Sequence, residues 1–386
     1  MTPTPTALGL AMLLAASTEA QGDPATSPIA HAPRLYPGEE IVQAAGYPAL
    51  ARFEPGPPGS RLAVFVTGGG VLARIAYGPP EGRPADFLSH WLQREGFSVL
   101  AVSYPMANPA MEGAFPQFSV RDWGAQTAAL VDRTVTAHGL PRSVVILGWS
   151  MAGRVAEPLA TALRSRTIDP ELFVAMAATP PLPGLLPGLS ELRPAATGLA
   201  RIEGGYLDWL LSLLADQNRR AGRVVISPER FVADFTGDFP IRLAASAMRY
   251  EAGRFVPDPA GDAEDTGASR YEAFPPLAVM THASPIDPHH ALVDRAAWGF
   301  YIAQTLAARH LFAHVKDFSA LEPTEWQRLL SVVHGAPERL TGVLPGNHLF
   351  FVGEEGARAT ASALKELLPR AQAISAELHL RRAAGR

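Results

Sequence analysis

Apolar runs of strand length alternate along this chain with segments of helical spacing. Strands are predicted at residues 61–66, 97–104, 143–147 and 172–178, and helices at residues 85–94, 119–138 and 151–164. The runs are apolar at consecutive positions, which is typical of strands buried on both faces of a sheet. This alternation predicts an α/β fold with a mostly parallel central sheet and helices on both faces.

The alternation stops at residue 179, where a Pro- and Gly-rich stretch begins, and resumes at residue 276. We interpret residues 179–275 as a lid or cap inserted into a core made of residues 33–178 and 276–370; a plain surface embellishment is the alternative. Within the insertion, helices are predicted at residues 206–215 and 239–250, and an exposed acidic loop at residues 257–269.

The second part of the core repeats the pattern of the first. Strands are predicted at residues 276–281 and 339–344, and helices at residues 289–308, 325–333 and 357–368. Residues 371–386 are expected to form a C-terminal tail. The carboxyl ends of parallel strands meet at one edge of a sheet, so loops that follow these strands are expected to meet there.

Residues 1–20 are either a cleaved export signal or a short N-terminal helix. The apolar run at residues 7–16 has the length of a signal peptide, and a cleavage site is possible near Ala20, but no Lys or Arg precedes the run. The protein is therefore secreted or periplasmic if the signal is real, and otherwise cytoplasmic. The run is too short to cross a bilayer, and no other segment qualifies as an integral membrane span.

The amino-acid composition argues against several classes of function. The chain has 386 residues, is 47% apolar, and carries 33 basic and 37 acidic residues with no long basic run, so nucleic acid is not an expected partner. It contains no cysteine, which rules out disulfides, thiol catalysis and cysteine-ligated zinc. Oligomeric state is left open.

Residues 148–153 (GWSMAG) join a predicted strand to a predicted helix. A serine at such a sharp turn projects its Oγ from the sheet edge, and small residues on either side let the backbones approach. The common pattern is G-x-S-x-G, and here Ala152 takes the place of the second glycine. Ser150 is therefore the predicted nucleophile.

A nucleophilic serine needs a base, and the base needs a carboxylate to orient it. His348 follows the last predicted strand and is the best-placed base. Asp287 follows the strongly apolar strand at residues 276–281 and is the preferred acid. Asp317 is the rival, although the run before it is short and interrupted by His314 and Lys316.

The developing negative charge of an acyl-transfer reaction must meet backbone N–H groups. Met151, directly after the serine, offers one such group. Gly69 and Gly70, in the loop after the first predicted strand, are candidates for the other. A phosphate-binding loop is disfavoured because neither G-K-[ST] nor the G-x-G-x-x-G spacing is present.

These residues resemble those of the α/β-hydrolase superfamily, especially its serine esterases and lipases. Residues 67–70 (TGGG) are similar to the His-Gly-Gly-Gly oxyanion loop of hormone-sensitive-lipase-like esterases, with Thr67 in place of histidine. The segment GWSMAG departs from that branch's Gly-Asp-Ser-Ala-Gly and is closer to Gly-x-Ser-Met-Gly-Gly. The order Ser150, Asp287, His348 agrees with the order in the superfamily.

The resemblance implies an α/β-hydrolase fold and cleavage of a carboxylic ester, or of a similar acyl bond, through an acyl-enzyme. No metal or organic cofactor is required, and the expected partner is a small, apolar ester. Trp149, Tyr206 and Trp209 are candidate substrate contacts. Thioester, amide or C–C bond hydrolysis by the same triad is the alternative, followed by a non-catalytic binding protein that keeps the fold.

Overall fold

The computed structural model describes residues 34–186, 189 and 191–378, so the prediction for residues 1–20 and the last part of the predicted tail lie outside the described residues. The strands are β1 Glu39–Ala44, β2 Tyr47–Glu54, β3 Arg61–Val66, β4 Phe97–Ser103, β5 Ser143–Trp149, β6 Asp169–Met176, β7 Met248–Glu251, β8 Arg254–Pro257, β9 Leu277–His282 and β10 Thr341–Leu344. The helices are α1 Leu88–Arg94, α2 Val120–His138, α3 Ala156–Arg164, α4 Gly204–Arg220, α5 Pro228–Arg230, α6 Pro259–Asp265, α7 Pro288–Leu306, α8 Pro323–Arg339 and α9 Glu354–Glu377.

Eight of these strands form one sheet in the order β1-β2-β4-β3-β5-β6-β9-β10. Strand β2 runs antiparallel to both of its neighbours, whereas β3, β4, β5, β6, β9 and β10 pair in parallel. Strands β7 and β8 form a separate antiparallel pair. Helices flank the sheet, as the alternation in the sequence predicted. The central strands are buried almost throughout, which explains why they are apolar at consecutive positions.

Helices α2 and α3 pack closely behind the end of β5. The side chain of Ser119 accepts a hydrogen bond from the N–H of Asp122, whose carboxylate accepts from the N–H of Ser119, so a capping box starts α2. A Cβ at Gly124 would lie 2.8 Å from the backbone of Leu159, so this glycine allows the two helices to touch. The contact fixes the helix that follows Ser150.

Three predictions about individual elements were wrong. Residues 239–250 form a short turn at Ile241–Leu243 followed by β7, and not a helix. The acidic stretch 257–269 contains α6, and Asp262 within it is fully buried, because Arg154 pairs with its carboxylate. The closing helix continues to Glu377, so the first residues of the predicted tail are helical.

The hairpin of β1 and β2 had not been predicted. Strand β1 lies at the edge of the sheet and has only two buried positions, so its apolar signal is weak. Strand β2 is buried only at residues 48–51, a run of one proline, one leucine and two alanines that does not favour a strand. A tight turn at Ala45 and Gly46, both with positive φ, joins the two strands. No helix in the described part of the chain has both the length and the apolarity needed to cross a membrane.

Candidate active site

Ser150 occupies a strained turn at the carboxyl end of β5. Its φ is +57°, a left-handed conformation that costs a residue with a side chain about 1–2 kcal/mol. A short helical turn, Ser150–Val155, then leads into α3. A Cβ at Gly68 would lie 2.7 Å from the Cβ of Ser150, so the neighbouring loop can approach the serine only as glycine. The predicted strand–turn–helix context is therefore present.

His348 lies in the loop after β10 and is fully buried. Its Nδ1 is 2.8 Å from Oδ2 of Asp287. Its Nε2 is buried and has no hydrogen-bond partner among the described residues, so no direct bond to Ser150 is formed in this structure. The imidazole is thus oriented through one nitrogen, and the other remains available to accept a proton.

Asp287 starts α7 and accepts two hydrogen bonds at the same oxygen. The second comes from His282 at the end of β9, whose Nε2 lies 3.1 Å from Oδ2. The N–H of Ser284 donates to Nδ1 of His282, which places the His282 proton on Nε2 and makes it the donor. Asp287 is therefore the carboxylate that contacts His348.

Asp317, the rival acid, is remote from this network. It is exposed, and its Oδ1 accepts a hydrogen bond of 2.9 Å from the N–H of Ser319 at the start of a short turn. The residues before it, Ala307–Phe312, are helical and form no strand. The composition argument against this candidate therefore agrees with the structure.

The surroundings of Asp287 favour its ionised form, and those of His348 favour its neutral form. Burial by itself raises the pKa of Asp287, but the His348 charge and the hydrogen bonds from His282 and His348 outweigh it and leave the pKa well below its ordinary value. Burial is the largest influence on the pKa of His348 and lowers it; Asp287 acts in the opposite direction, but together with His290 and His282 burial leaves the pKa below its ordinary value. An ionised carboxylate therefore supports a neutral imidazole near pH 7.

A cavity of about 410 Å³ opens beside Ser150. Its lining is mainly apolar and includes Tyr206 and Trp209 of α4, as predicted for substrate contacts. Trp149, predicted as a third contact, does not line it. The Trp149 ring is buried, and its Nε1 donates a hydrogen bond of 2.9 Å to the carbonyl oxygen of His348, so it supports the histidine loop.

Of the two oxyanion donors predicted in the loop after β3, only Gly69 has an N–H that is available. The N–H of Gly70 donates to the Tyr104 hydroxyl at 2.7 Å, so Gly70 is not free to bind an oxyanion, contrary to expectation. The N–H of Gly69 has no partner among the described residues, while its carbonyl accepts a 3.0 Å hydrogen bond from the Tyr206 hydroxyl. Met151 and Gly69 therefore remain as candidate donors.

Two histidines outside the predicted triad, His282 and His290, belong to the site in other ways. His282 donates to Asp287, and His290 lines the cavity with its ring centroid 4.8 Å from that of His348. Both histidines lie in the same sequence segment as Asp287, the predicted acid, and this proximity was the available signal. Which of these side chains face inward depends on the turn after β9, which residue spacing alone does not give.

His282, Asp287 and His348 are also grouped closely enough to be considered as metal ligands. Their contact distances of 2.8 and 3.1 Å, however, are those of direct hydrogen bonds that share one carboxylate oxygen. Nδ1 of His282 is already occupied by the N–H of Ser284. The arrangement fits an acid that orients an imidazole.

Comparisons with known proteins place this site in context. No protein-family model matches the chain, and no curated protein matches it. Similar solved structures include a thermophilic esterase from Thermogutta terrifontis, which is 13% identical over 86% of this chain and 98% of that one, with a TM-score of 0.49. Another is a variant of AqdC that recognises and cleaves the ring of the Pseudomonas quinolone signal; it is 15% identical over 86% and 99%, with a TM-score of 0.45.

A third similar structure is the thioesterase domain from the curacin biosynthetic pathway. It is 14% identical over 84% of this chain and 98% of that chain, with a TM-score of 0.35. At these identities the likeness says nothing of the reaction. The fold follows from the chain itself: the sheet order with antiparallel β2, the strained serine after β5, the carboxylate after β9 and the histidine after β10. This chain has the α/β-hydrolase fold.

Proposed function

We propose that this protein is a serine hydrolase that cleaves a carboxylic ester, or a similar acyl bond, through an acyl-enzyme. One observation carries the proposal. Ser150 lines a cavity beside a buried imidazole, that of His348, which is held by the Asp287 carboxylate at one nitrogen and is unbonded at the other. That combination suits general-base activation of a hydroxyl.

In the first half-reaction, Oγ of Ser150 attacks the substrate carbonyl while Nε2 of His348 takes its proton. The imidazolium that forms is stabilised by Asp287 through Nδ1. This step requires Nε2 and Oγ to come within hydrogen-bond distance, a contact that often tightens only when substrate is bound. The imidazolium then protonates the leaving alcohol, and the acyl group stays on Ser150.

The N–H groups of Gly69 and Met151 bind the negative oxygen of the tetrahedral intermediate. Met151 is the residue after the nucleophile, and Gly69 belongs to the loop whose neighbour, Gly68, packs against Ser150. In the second half-reaction water attacks the acyl carbonyl while His348 takes its proton, and His348 then returns that proton to Oγ of Ser150 as the C–O bond to the serine breaks and the acid product is released.

Residues 179–275 act in this proposal as a lid. Support comes from α4, whose Trp209 ring lies 5.1 Å from the His348 ring and whose Tyr206 bonds to the oxyanion loop. Both side chains line the cavity and exclude water from the base. The apolar lining favours an ester with a short or medium-sized apolar portion, within the cavity volume of about 410 Å³.

Hydrolysis of p-nitrophenyl butyrate by wild-type protein and by Ser150→Ala tests the proposal. We expect a loss of about 10⁴-fold or more in kcat for the variant. Ser165→Ala, at an exposed serine outside the cavity, is the matched control and should retain full activity. Equal hydrolysis by wild-type protein and Ser150→Ala would disprove the serine mechanism, and a panel of thioesters and amides with the same acyl chain defines the bond that is cleaved.

A further inference from the structure

A second histidine–aspartate pair faces the cavity beside the proposed triad. His290 lies in the first turn of α7, three residues after Asp287, and is only 4% exposed. Its Nδ1 is 2.8 Å from Oδ1 of Asp294, one helical turn further along. The Thr281 hydroxyl lies 3.3 Å from the other oxygen of Asp294 and 3.3 Å from the His290 carbonyl oxygen, and its one proton is shared between these two acceptors.

The second nitrogen of His290 is unused within the protein. Because Nδ1 is engaged by Asp294, Nε2 lies on the opposite side of the ring, and it has no hydrogen-bond partner among the residues that the structure describes. His290 lines the same cavity as Ser150. Nε2 of His290 is not among the fully buried, unpaired polar atoms of the described residues, so a ligand in the cavity can reach it.

The proposed triad does not use this histidine, and its position has an electrostatic consequence. Burial opposes the charged form of His290, but the adjacent Asp294 outweighs it and raises the pKa of this imidazole. A cation here lies 4.8 Å, ring centroid to ring centroid, from His348, which must itself become an imidazolium during the reaction. Two neighbouring cations repel one another unless an anion lies between or beside them.

Each of these two histidines already has a carboxylate beside it. Asp287 is already paired with His282 and His348, and Asp294 is paired with His290. Neither Lys nor Arg is among the described residues that line the cavity. The neighbouring His289 also lines it, but burial lowers the pKa of His289, so His290 is the better-placed cation. A charged His290 therefore presents an N–H donor at Nε2 to the cavity, and an anionic group of the substrate is the acceptor that suits such a donor best.

We propose that His290 anchors an anionic group of the substrate, a carboxylate or a group of like charge, and that the preferred esters of this enzyme are acidic ones. The inference rests on the proposed serine hydrolase function and adds the class of substrate. Nε2 of His290 donates to the anion, and Asp294 is the positioning residue that keeps the imidazole charged and oriented. The remaining apolar lining holds the hydrocarbon part of the ester.

Matched pairs of esters test this proposal. Mono-4-nitrophenyl glutarate and its neutral methyl ester carry the charge on the acyl side, while 3-acetoxybenzoate and its methyl ester carry it on the alcohol side. In at least one pair, kcat/KM of the wild-type enzyme should favour the anion by about tenfold or more, the usual strength of a hydrogen bond to a charged group. His290→Gln should abolish that preference, and Asp294→Asn should reduce it.

His334→Gln, an exposed histidine of α8 outside the cavity, is the control and should leave the preference unchanged. Equal use of anion and neutral ester in both pairs by the wild-type enzyme, or a preference that survives in His290→Gln, would overturn the inference while leaving the hydrolase intact. If no ester is hydrolysed, the proposed function fails separately. Calorimetric titration of Ser150→Ala with glutarate then decides the anion site, since it requires binding that His290→Gln removes.

Discussion

The shape of the nucleophile turn depends on a residue that carries no chemistry. A Cβ at Gly68 would lie 2.7 Å from the Cβ of Ser150 and 3.1 Å from the Trp149 ring, closer than packed side chains tolerate. Gly68→Ala should therefore displace the serine and lower kcat by about 100-fold, the effect of a shift of about 1 Å at a reacting group. Kinetics with p-nitrophenyl butyrate measure this loss.

Gly335→Ala serves as the comparison for Gly68→Ala. Gly335 lies inside α8, and a Cβ there meets no atom within 4 Å. The substitution should raise the free energy of unfolding by about 0.5–1 kcal/mol, since alanine is the better helix former, and should leave activity unchanged. Full activity of Gly68→Ala would show that the serine tolerates a rearranged loop.

The pH dependence of the reaction follows from His348. The imidazole must be neutral to accept the serine proton, and burial keeps its pKa below the usual value of about 6.5 despite Asp287. The nearby His282 and His290 act in the same direction. Activity should therefore persist below pH 6.5, with the acid limb of kcat/KM falling only at lower pH. An acid limb centred above pH 6.5 would contradict this account.

We expect His282 to act as a positioning residue, with an effect on that same pH profile. Its hydrogen bond stabilises the ionised form of Asp287. In His282→Phe this donor is lost, so the more basic carboxylate holds the His348 proton more firmly and the acid limb should move to higher pH. A purely structural role would lower kcat without moving the limb, and His282→Gln, which keeps a donor, should partly restore the wild-type profile.

At the scale of elements, one asparagine joins the proposed lid to the histidine loop. Nδ2 of Asn347 donates to the carbonyl oxygen of Leu213 and to Asp216 in α4, at 2.9 Å each, and its Oδ1 accepts from the N–H of Leu349. The side chain is fully buried. The helix that carries Tyr206 and Trp209 is thus held against the residue next to the proposed base.

Asn347→Leu should separate these two elements. It keeps the volume but leaves buried partners unsatisfied, which costs about 1–3 kcal/mol of unfolding free energy. Activity should fall with stability, and proteolysis should cut within residues 179–275 faster than in the wild-type protein. Urea unfolding and limited trypsin digestion measure both effects. A variant with wild-type stability but slower turnover would assign Asn347 to catalysis rather than to docking.

The accuracy of the sequence predictions differs between elements for physical reasons. The central strands β3 to β6 and β9 are buried on both faces, so they are visible in the sequence as apolar runs. Strands β1, β7 and β8 are short and partly exposed, and the buried positions of β2 are mostly proline and alanine, so the patterns of these strands are weak. Helix α6 was missed because buried carboxylates resemble an exposed acidic loop until their partners are known.

At the scale of the whole molecule, the site exists because parallel strands end at one edge. Ser150, Asp287 and His348 are distant in sequence but follow β5, β9 and β10, which lie on one side of the sheet. Their order was predictable from motif and topology. The roles of Gly70 and Trp149 were not, because hydrogen bonds to Tyr104 and to the His348 carbonyl depend on loop conformations that local sequence does not encode.

A second, fully buried contact joins the proposed lid to the turn that carries Ser150, and it is an ion pair. Arg154, in the turn Ser150–Val155, pairs with Asp262 of α6, and both side chains are inaccessible to solvent. Further atoms of both groups, including Nε of Arg154 and Oδ2 of Asp262, have no partner among the described residues. The desolvation of two charges is thus only partly compensated, so we expect the pair to fix the position of α6 rather than to add net stability.

Single and double replacements distinguish these effects. Asp262→Leu alone leaves the Arg154 charge buried without a partner and should lower the unfolding free energy by about 3–5 kcal/mol, and Arg154→Met alone should act similarly. The double variant removes both charges and should recover most of that loss. Urea unfolding of the four proteins gives the coupling energy, and additive losses in the double variant would refute a paired role. Because Arg154 lies in the nucleophile turn, kcat should fall in each single variant and return with stability in the double one.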